Sequence, residues 1–135
     1  MKLLDTNVFV YARGNPSRYK EPCRGIVAEA GEQPSAFGVD VELLQELLDV
    51  YARRSQRKSG TELIEEILIS FPDPFPITRH QVEEAAGITV AHPRLSPRDA
   101  IHAAVVRTYG LEGIVSADRA FDHVRGVKCF DPLKL

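Results

Sequence analysis

A chain of 135 residues is long enough to bury roughly two-thirds of its unfolded surface around one core. Its 44% hydrophobic and 27% charged residues, with 9 Gly and 9 Pro, exclude disordered, collagen-like and low-complexity classes. Two cysteines cannot build a disulfide framework, and a formal charge of −2 means that a nucleic-acid partner has to be met by a local basic patch.

Met1-Lys2-Leu3-Leu4 is interrupted by Asp5, short of the apolar run that a signal peptide or spanning helix needs. With reduced thiols, the expectation is a cytoplasmic protein with no membrane segment. No repeat, charge block or Gly/Ser linker divides the chain, so one domain over residues 1–135 is expected. Lys2–Leu4 reads as a short strand. Glu21–Glu32 reads as a helix, with Pro22 in its first turn, where a missing N–H costs little. Asp40 caps a second helix to about Arg54, with Leu44, Leu47, Leu48 and Tyr51 as a core-facing stripe.

Ser59 with Glu62, and Thr78 with Gln81, have capping-box spacing before two further short helices, Leu63–Phe71 and Val82–Ile88. Pro72, Pro74 and Pro76 forbid helix between them, and a short strand is expected near Ile77. Ser96-Pro97-Arg98-Asp99 is a strong helix start, and Gly110 a suitable stop. Strands follow at Gly113–Ser116 and Val127–Phe130. Strands separated by helices imply parallel pairing and a covered sheet.

Asp5 follows the first strand and Asp118 follows the strand through Val115. Ligands bind at the carboxyl ends of strands in open α/β sheets, so the two carboxylates are candidates for one site. Spacing alone favours the plainer reading of turn or N-cap aspartates. Asp99, third in its helix, is explained by the free N–H groups and dipole there. Glu46 shares the polar side of its helix with Glu42, Asp49 and Arg53, and the helical wheel does not prefer it to Glu42.

Taken together the pattern resembles the PIN-domain ribonucleases, in particular small toxins of the VapC kind. The resemblance rests on Leu4-Asp5-Thr6-Asn7, Leu43-Leu44-Gln45-Glu46-Leu47-Leu48, Leu95-Ser96-Pro97-Arg98-Asp99-Ala100 and Gly113–Asp122, in family order. It implies a three-layer α/β/α sandwich around a short, mostly parallel sheet. It also implies that Asp5, Glu46, Asp99 and Asp118 form a catalytic acidic quartet holding one or two divalent metals, with Asp122 a fifth acidic position. The Gln-Glu-Leu-Leu context selects Glu46 over Glu42. Gly38 and Asp40 stand where strand-like or small residues are more usual, which makes a second strand doubtful. The implied activity is RNA cleavage by the toxin of a type II toxin–antitoxin pair, homodimeric and silenced by a small cognate antitoxin lying across the acidic groove.

The chemistry agrees. Carboxylates without His or Cys suit Mg²⁺ or Mn²⁺, which can activate a water and neutralise a leaving oxygen at a phosphodiester. Thr6, Asn7 and Ser116 are then candidates for orienting ligands or substrate. Arg53, Arg54, Arg57 and Lys58, at the end of the Glu46 helix, are candidates for RNA contact, the alternative being helix-end and solubility charges. His80, His92, His102 and His123 share no metal-ligand spacing and are expected to be surface or satisfied histidines. Cys23 and Cys129 are expected to be small buried hydrophobes. The rival readings are a non-catalytic RNA-binding or scaffold protein of this fold and a receiver-type phosphoacceptor; the latter lacks adjacent acids after the first strand.

Overall fold

In the computed structural model, which describes residues 1–135, the strands are β1 (Lys2–Leu4), β2 (Phe37–Gly38), β3 (Gly113–Val115) and β4 (Cys129–Phe130). They pair in parallel in the order β2-β1-β3-β4. The helices are α1 (Thr6–Arg13), α2 (Lys20–Glu32), α3 (Val41–Arg53), α4 (Arg57–Ser70), α5 (Arg79–Ala91) and α6 (Pro97–Thr108), with 3-10 turns at Arg119–His123 and Pro132–Lys134.

Strand alternation sends successive side chains to opposite faces, and the core divides accordingly. Leu4 and Val115 join Val8, Phe9, Leu43, Leu47 and Ile67 on one face, under α1 to α4. Leu3 and Ile114 join Ala85, Ala100, Ala103 and Phe121 on the other, under α5, α6 and the first 3-10 turn. The result is the three-layer α/β/α sandwich expected. The small residues Ala100, Ala103 and Ala104 are fully buried.

A shared device ends the strands. Asp5, Asp40, Asp118 and Asp131 follow β1, β2, β3 and β4, and each accepts a backbone N–H at the start of the next helix or turn: from Thr6, Leu43, Ala120 and Leu133 at 2.7–2.9 Å. Parallel pairing puts all four strand ends on the same side of the sheet. The chain runs from β1 outward to β2 and later returns to β3 on β1's other side, which makes the β1/β3 boundary the crevice where such sheets take ligands.

The structure differs from the sequence-based expectation in several elements. Helix α1 was not expected: Val8, Phe9, Val10 and Tyr11 favour strand locally, but the Asp5 cap and burial of Val8 and Phe9 make the segment helical. Strand β2 is present, two residues long. At Gly38 a Cβ would lie 2.8 Å from the Phe75 ring and 3.0 Å from Met1 Sδ, so only glycine fits without displacing them. The strand expected near Ile77 is instead one parallel bridge between Asp40 and Phe75.

Helix α4 starts at Arg57, before the Ser59 cap expected, and α5 starts at Arg79 with the Thr78/Gln81 capping box formed. The buried stripe of α3 is Leu43, Leu47 and Tyr51, while Leu48 is 52% exposed. Gly110 follows the end of α6 with φ +65°, the left-handed stop that glycine makes without strain. No helix is long and apolar enough to cross a membrane.

Candidate active site

Asp5, Glu46, Asp99 and Asp118 line one open cavity of about 330 Å³ together with Thr6, Asn7 and Arg54. Asp5 comes from the end of β1, Asp118 from the loop after β3, Glu46 from the second turn of α3 and Asp99 from the first turn of α6. Ser96 caps α6 by accepting the Asp99 N–H at 3.1 Å. The helix start is thereby satisfied by Ser96, and the Asp99 carboxylate lines the cavity.

Asp5 is held from both sides. Its Oδ1 accepts the Thr6 N–H at 2.7 Å and its Oδ2 accepts the Ser116 hydroxyl at 2.6 Å. That same hydroxyl accepts from Asn7 Nδ2 at 3.1 Å and from the Asp118 N–H at 2.9 Å, which uses its one donor and both lone pairs. Ser116 and Asn7 therefore tie the β3 loop to the start of α1 and fix the spacing of Asp5 and Asp118. Thr6 Oγ1 is buried without a partner, a free hydroxyl on a residue of the cavity wall.

The carboxylates are poorly compensated. Burial raises the Asp99 pKa from 3.8 to about 7, helped by the charges of Asp5, Glu46 and Asp118 and opposed by His102. Burial also raises Asp5, opposed by His102 and the Ser116 hydrogen bond. Crowded, desolvated oxygen donors of this kind fit a hard divalent cation, whose charge removes the repulsion.

Asp122 is not in the cavity wall: its carboxylate is held by Arg119 Nε at 2.6 Å. The basic cluster divides. Arg54 lines the cavity; Arg53 pairs with Asp49; and Arg57 and Lys58 open α4, not the end of α3, with Lys58 4.0 Å from Glu62. Glu42 is buried and faces Arg98 at 3.7 Å outside the acidic cavity, so geometry as well as sequence context separates it from Glu46. Cys23 is buried and Cys129 half-buried, and burial pushes both thiols up to about 11, leaving them unreactive.

Beside these results stand three comparisons with known proteins. A family model described as the PIN domain matches residues 2–127. The chain belongs to the PIN-domain family. Ribonuclease VapC7 of Mycobacterium tuberculosis is 34% identical over 125 residues, which cover 90% of this chain and 84% of that protein. The crystal structure of FitAcB from Neisseria gonorrhoeae superposes with a TM-score of 0.76 at 21% identity, covering all of both chains. A toxin-antitoxin complex from Klebsiella pneumoniae gives 0.71 at 15% identity, again over both whole chains. At those identities the likeness to the two structures shows the fold.

In this PIN domain His102 is a satisfied histidine, as expected, but sequence reasoning missed that its partners belong to the acidic cluster. It is fully buried, with Nδ1 at 2.7 Å from Asp40 Oδ2, Nε2 at 2.7 Å from Glu46 Oε1 and 3.7 Å from Asp5 Oδ1. Burial works to lower its pKa but is outweighed by the charge and hydrogen bond of Asp40, with Glu46 and Asp5 adding to them, so the imidazole is held well above its usual range. One available signal was its spacing: His102 is three residues after Asp99 and shares its helix face. Asp40 carried a second signal, the same strand-end position as Asp5. Glu46 is accordingly half-buried against α6, not on a solvated face.

Proposed function

We propose that this protein is a metal-dependent endoribonuclease, the toxin of a type II toxin–antitoxin pair, with one PIN-like nuclease domain over residues 1–135. The observation that carries the reading is the convergence of Asp5, Glu46, Asp99 and Asp118 on one open cavity in a member of a family that includes VapC ribonucleases. In this reading Asp5, Glu46, Asp99 and Asp118 hold Mg²⁺ or Mn²⁺, and Asp122, tied to Arg119, stays outside.

Bound there, the ion supplies the positive charge that activates a water and neutralises the oxygen leaving a phosphodiester. The protein's own groups do the positioning. Ser116 and Asn7 fix Asp5 relative to Asp118. Arg54, at the wall of the cavity, neutralises an RNA phosphate, while the Thr6 N–H holds Asp5 from behind. Arg53, Arg57 and Lys58 extend this basic rim at longer range.

The cognate antitoxin is proposed to cover the acidic cavity, with an Arg or Lys in the electrostatic place of the ion; the toxin-antitoxin complex among the structures of this fold supports that partner. A cytoplasmic homodimer completes the reading, with Leu48 and Val82, both 52% exposed, available as apolar contact surface. The test is cleavage of a total RNA preparation with Mg²⁺, with Mn²⁺ and with chelator, by the wild type, Asp5→Asn and Asp118→Asn. Divalent-dependent cleavage by the wild type, at least about 100-fold slower in both folded variants, is expected; each tenfold is 1.36 kcal/mol of lost transition-state stabilisation. Equal cleavage in chelator would overturn the reading.

A further inference from the structure

The geometry points to His102, anchored by Asp40, as the positioning residue that holds Glu46 in the metal-binding arrangement. The inference rests on the metal-site reading of the acidic cavity and adds residues to which that reading gave no role.

His102, Asp5 and Asp99 place ligand-type atoms within 4.8 Å of one another, which by distance alone would make His102 a metal ligand. Its hydrogen bonds argue otherwise. Nδ1 is engaged by Asp40 and Nε2 by Glu46, both at 2.7 Å, so neither nitrogen offers a free lone pair to an ion. Asp40 is itself fixed, because its other oxygen accepts the Leu43 N–H at 2.9 Å as the cap of α3. Asp40 and His102 are both 0% exposed. The ring is therefore a rigid strut from the first turn of α3, through α6, back to Glu46 in the second turn of α3.

Without that strut Glu46 is a long side chain on a cavity wall, near the like charges of Asp5 and Asp99, and repulsion favours rotamers that point away. Hydrogen bonds behind metal ligands commonly set affinity by 10–100-fold. The arrangement also explains why a buried histidine occurs where an apolar residue would pack: its two partners are carboxylates that no aliphatic side chain could satisfy.

Two amide substitutions separate positioning from simple packing. The Gln amide nitrogen reaches the place of Nε2 and keeps the donor to Glu46; the Asn amide nitrogen reaches the place of Nδ1 and keeps only the contact to Asp40. Mn²⁺ binding is measured by calorimetry on wild type, His102→Gln, His102→Asn and Glu46→Gln, with metal-free thermal midpoints as a check on folding. Positioning predicts His102→Gln within about 3-fold of wild type, and His102→Asn about 10–100-fold weaker and close to Glu46→Gln. The double variant Asp40→Asn/His102→Asn, whose neutral amides bond each other, removes the buried charges and gives the same loss should the single variant fail to fold. Equal Mn²⁺ affinity in His102→Gln and His102→Asn, or an affinity unmoved by Glu46→Gln in a wild type that binds Mn²⁺, overturns the inference and leaves the metal site standing. A wild type that binds no Mn²⁺ overturns both.

Discussion

The acidic cavity has two unlike walls. On one, the Asp5 and Asp118 carboxylates accept backbone N–H groups and one serine hydroxyl, and beside them the Asp99 pKa is raised to about 7 by burial and like charge. On the other, Glu46 is tied to one nitrogen of a buried imidazole whose other nitrogen is held from behind the wall by Asp40. Burial and like charge work against ionisation on the first wall. The second carries its own cation. Carboxylates of one type at one sheet edge thus do opposite things for stability, and the difference is the presence of a histidine one turn along α6 from Asp99.

The largest expected effect breaks the compensated wall. Asp40→Ala removes the cap of α3 and leaves His102 with one partner fewer; the cap is worth about 1 kcal/mol and breaking a buried charge pair about 3–5 kcal/mol. Urea unfolding should therefore show a loss of at least about 3 kcal/mol. A loss below about 1 kcal/mol would mean that the pair contributes little.

The opposite sign is expected on the other wall. Because the Asp99 pKa is raised on folding, the folded state holds its proton more tightly than the unfolded state does. Its charge costs stability progressively as pH rises from about 3.8 to about 7. In chelator at pH 8, Asp99→Asn should be more stable than wild type by roughly 1–3 kcal/mol after solvent screening, and the difference should vanish below about pH 4. Thermal midpoints across that range check it; a variant less stable than wild type at pH 8 would reverse the assignment.

Adding the cation should erase the same difference. Mn²⁺ at one hundred times its dissociation constant stabilises a native state by about 2.7 kcal/mol, so the wild-type midpoint rises and that of Asp99→Asn moves much less. The smallest effect concerns the rim. In an Asp5→Asn background, Arg54→Gln should weaken RNA binding and flatten the slope of log affinity against log salt by roughly 0.7, one phosphate contact on a single strand. Arg57→Gln, on α4 outside the cavity wall, should change the slope less.

These contrasts also mark what was legible in the sequence. The alternating strands and helices, the Ser96-Pro97 start of α6 and the Thr78/Gln81 capping box depend on local chemistry, and the structure has them where expected. Asp5 and Asp118 were legible as strand-end residues because a parallel sheet sends every strand end to one edge. Helix α1 was not, since the β-branched and aromatic residues Val8 to Tyr11 give no local helix signal and are held by the core they enter. Glu46 looked solvated because periodicity reports the side of a helix and not what covers it; here α6 covers it through His102. Arg57 and Lys58 were misplaced because α3 ends in a tight turn, with Ser55 at φ 55°, and a new helix begins at Arg57.

The most direct test of the two-walled cavity is anomalous diffraction from crystals equilibrated with Mn²⁺. The account predicts one peak or a close pair with carboxylate oxygens of Asp5 and Asp99 within about 2.5 Å, and His102 still bonded to Asp40 and Glu46. An ion on His102 Nε2, or ions only at Asp122 and Asp131, would contradict it.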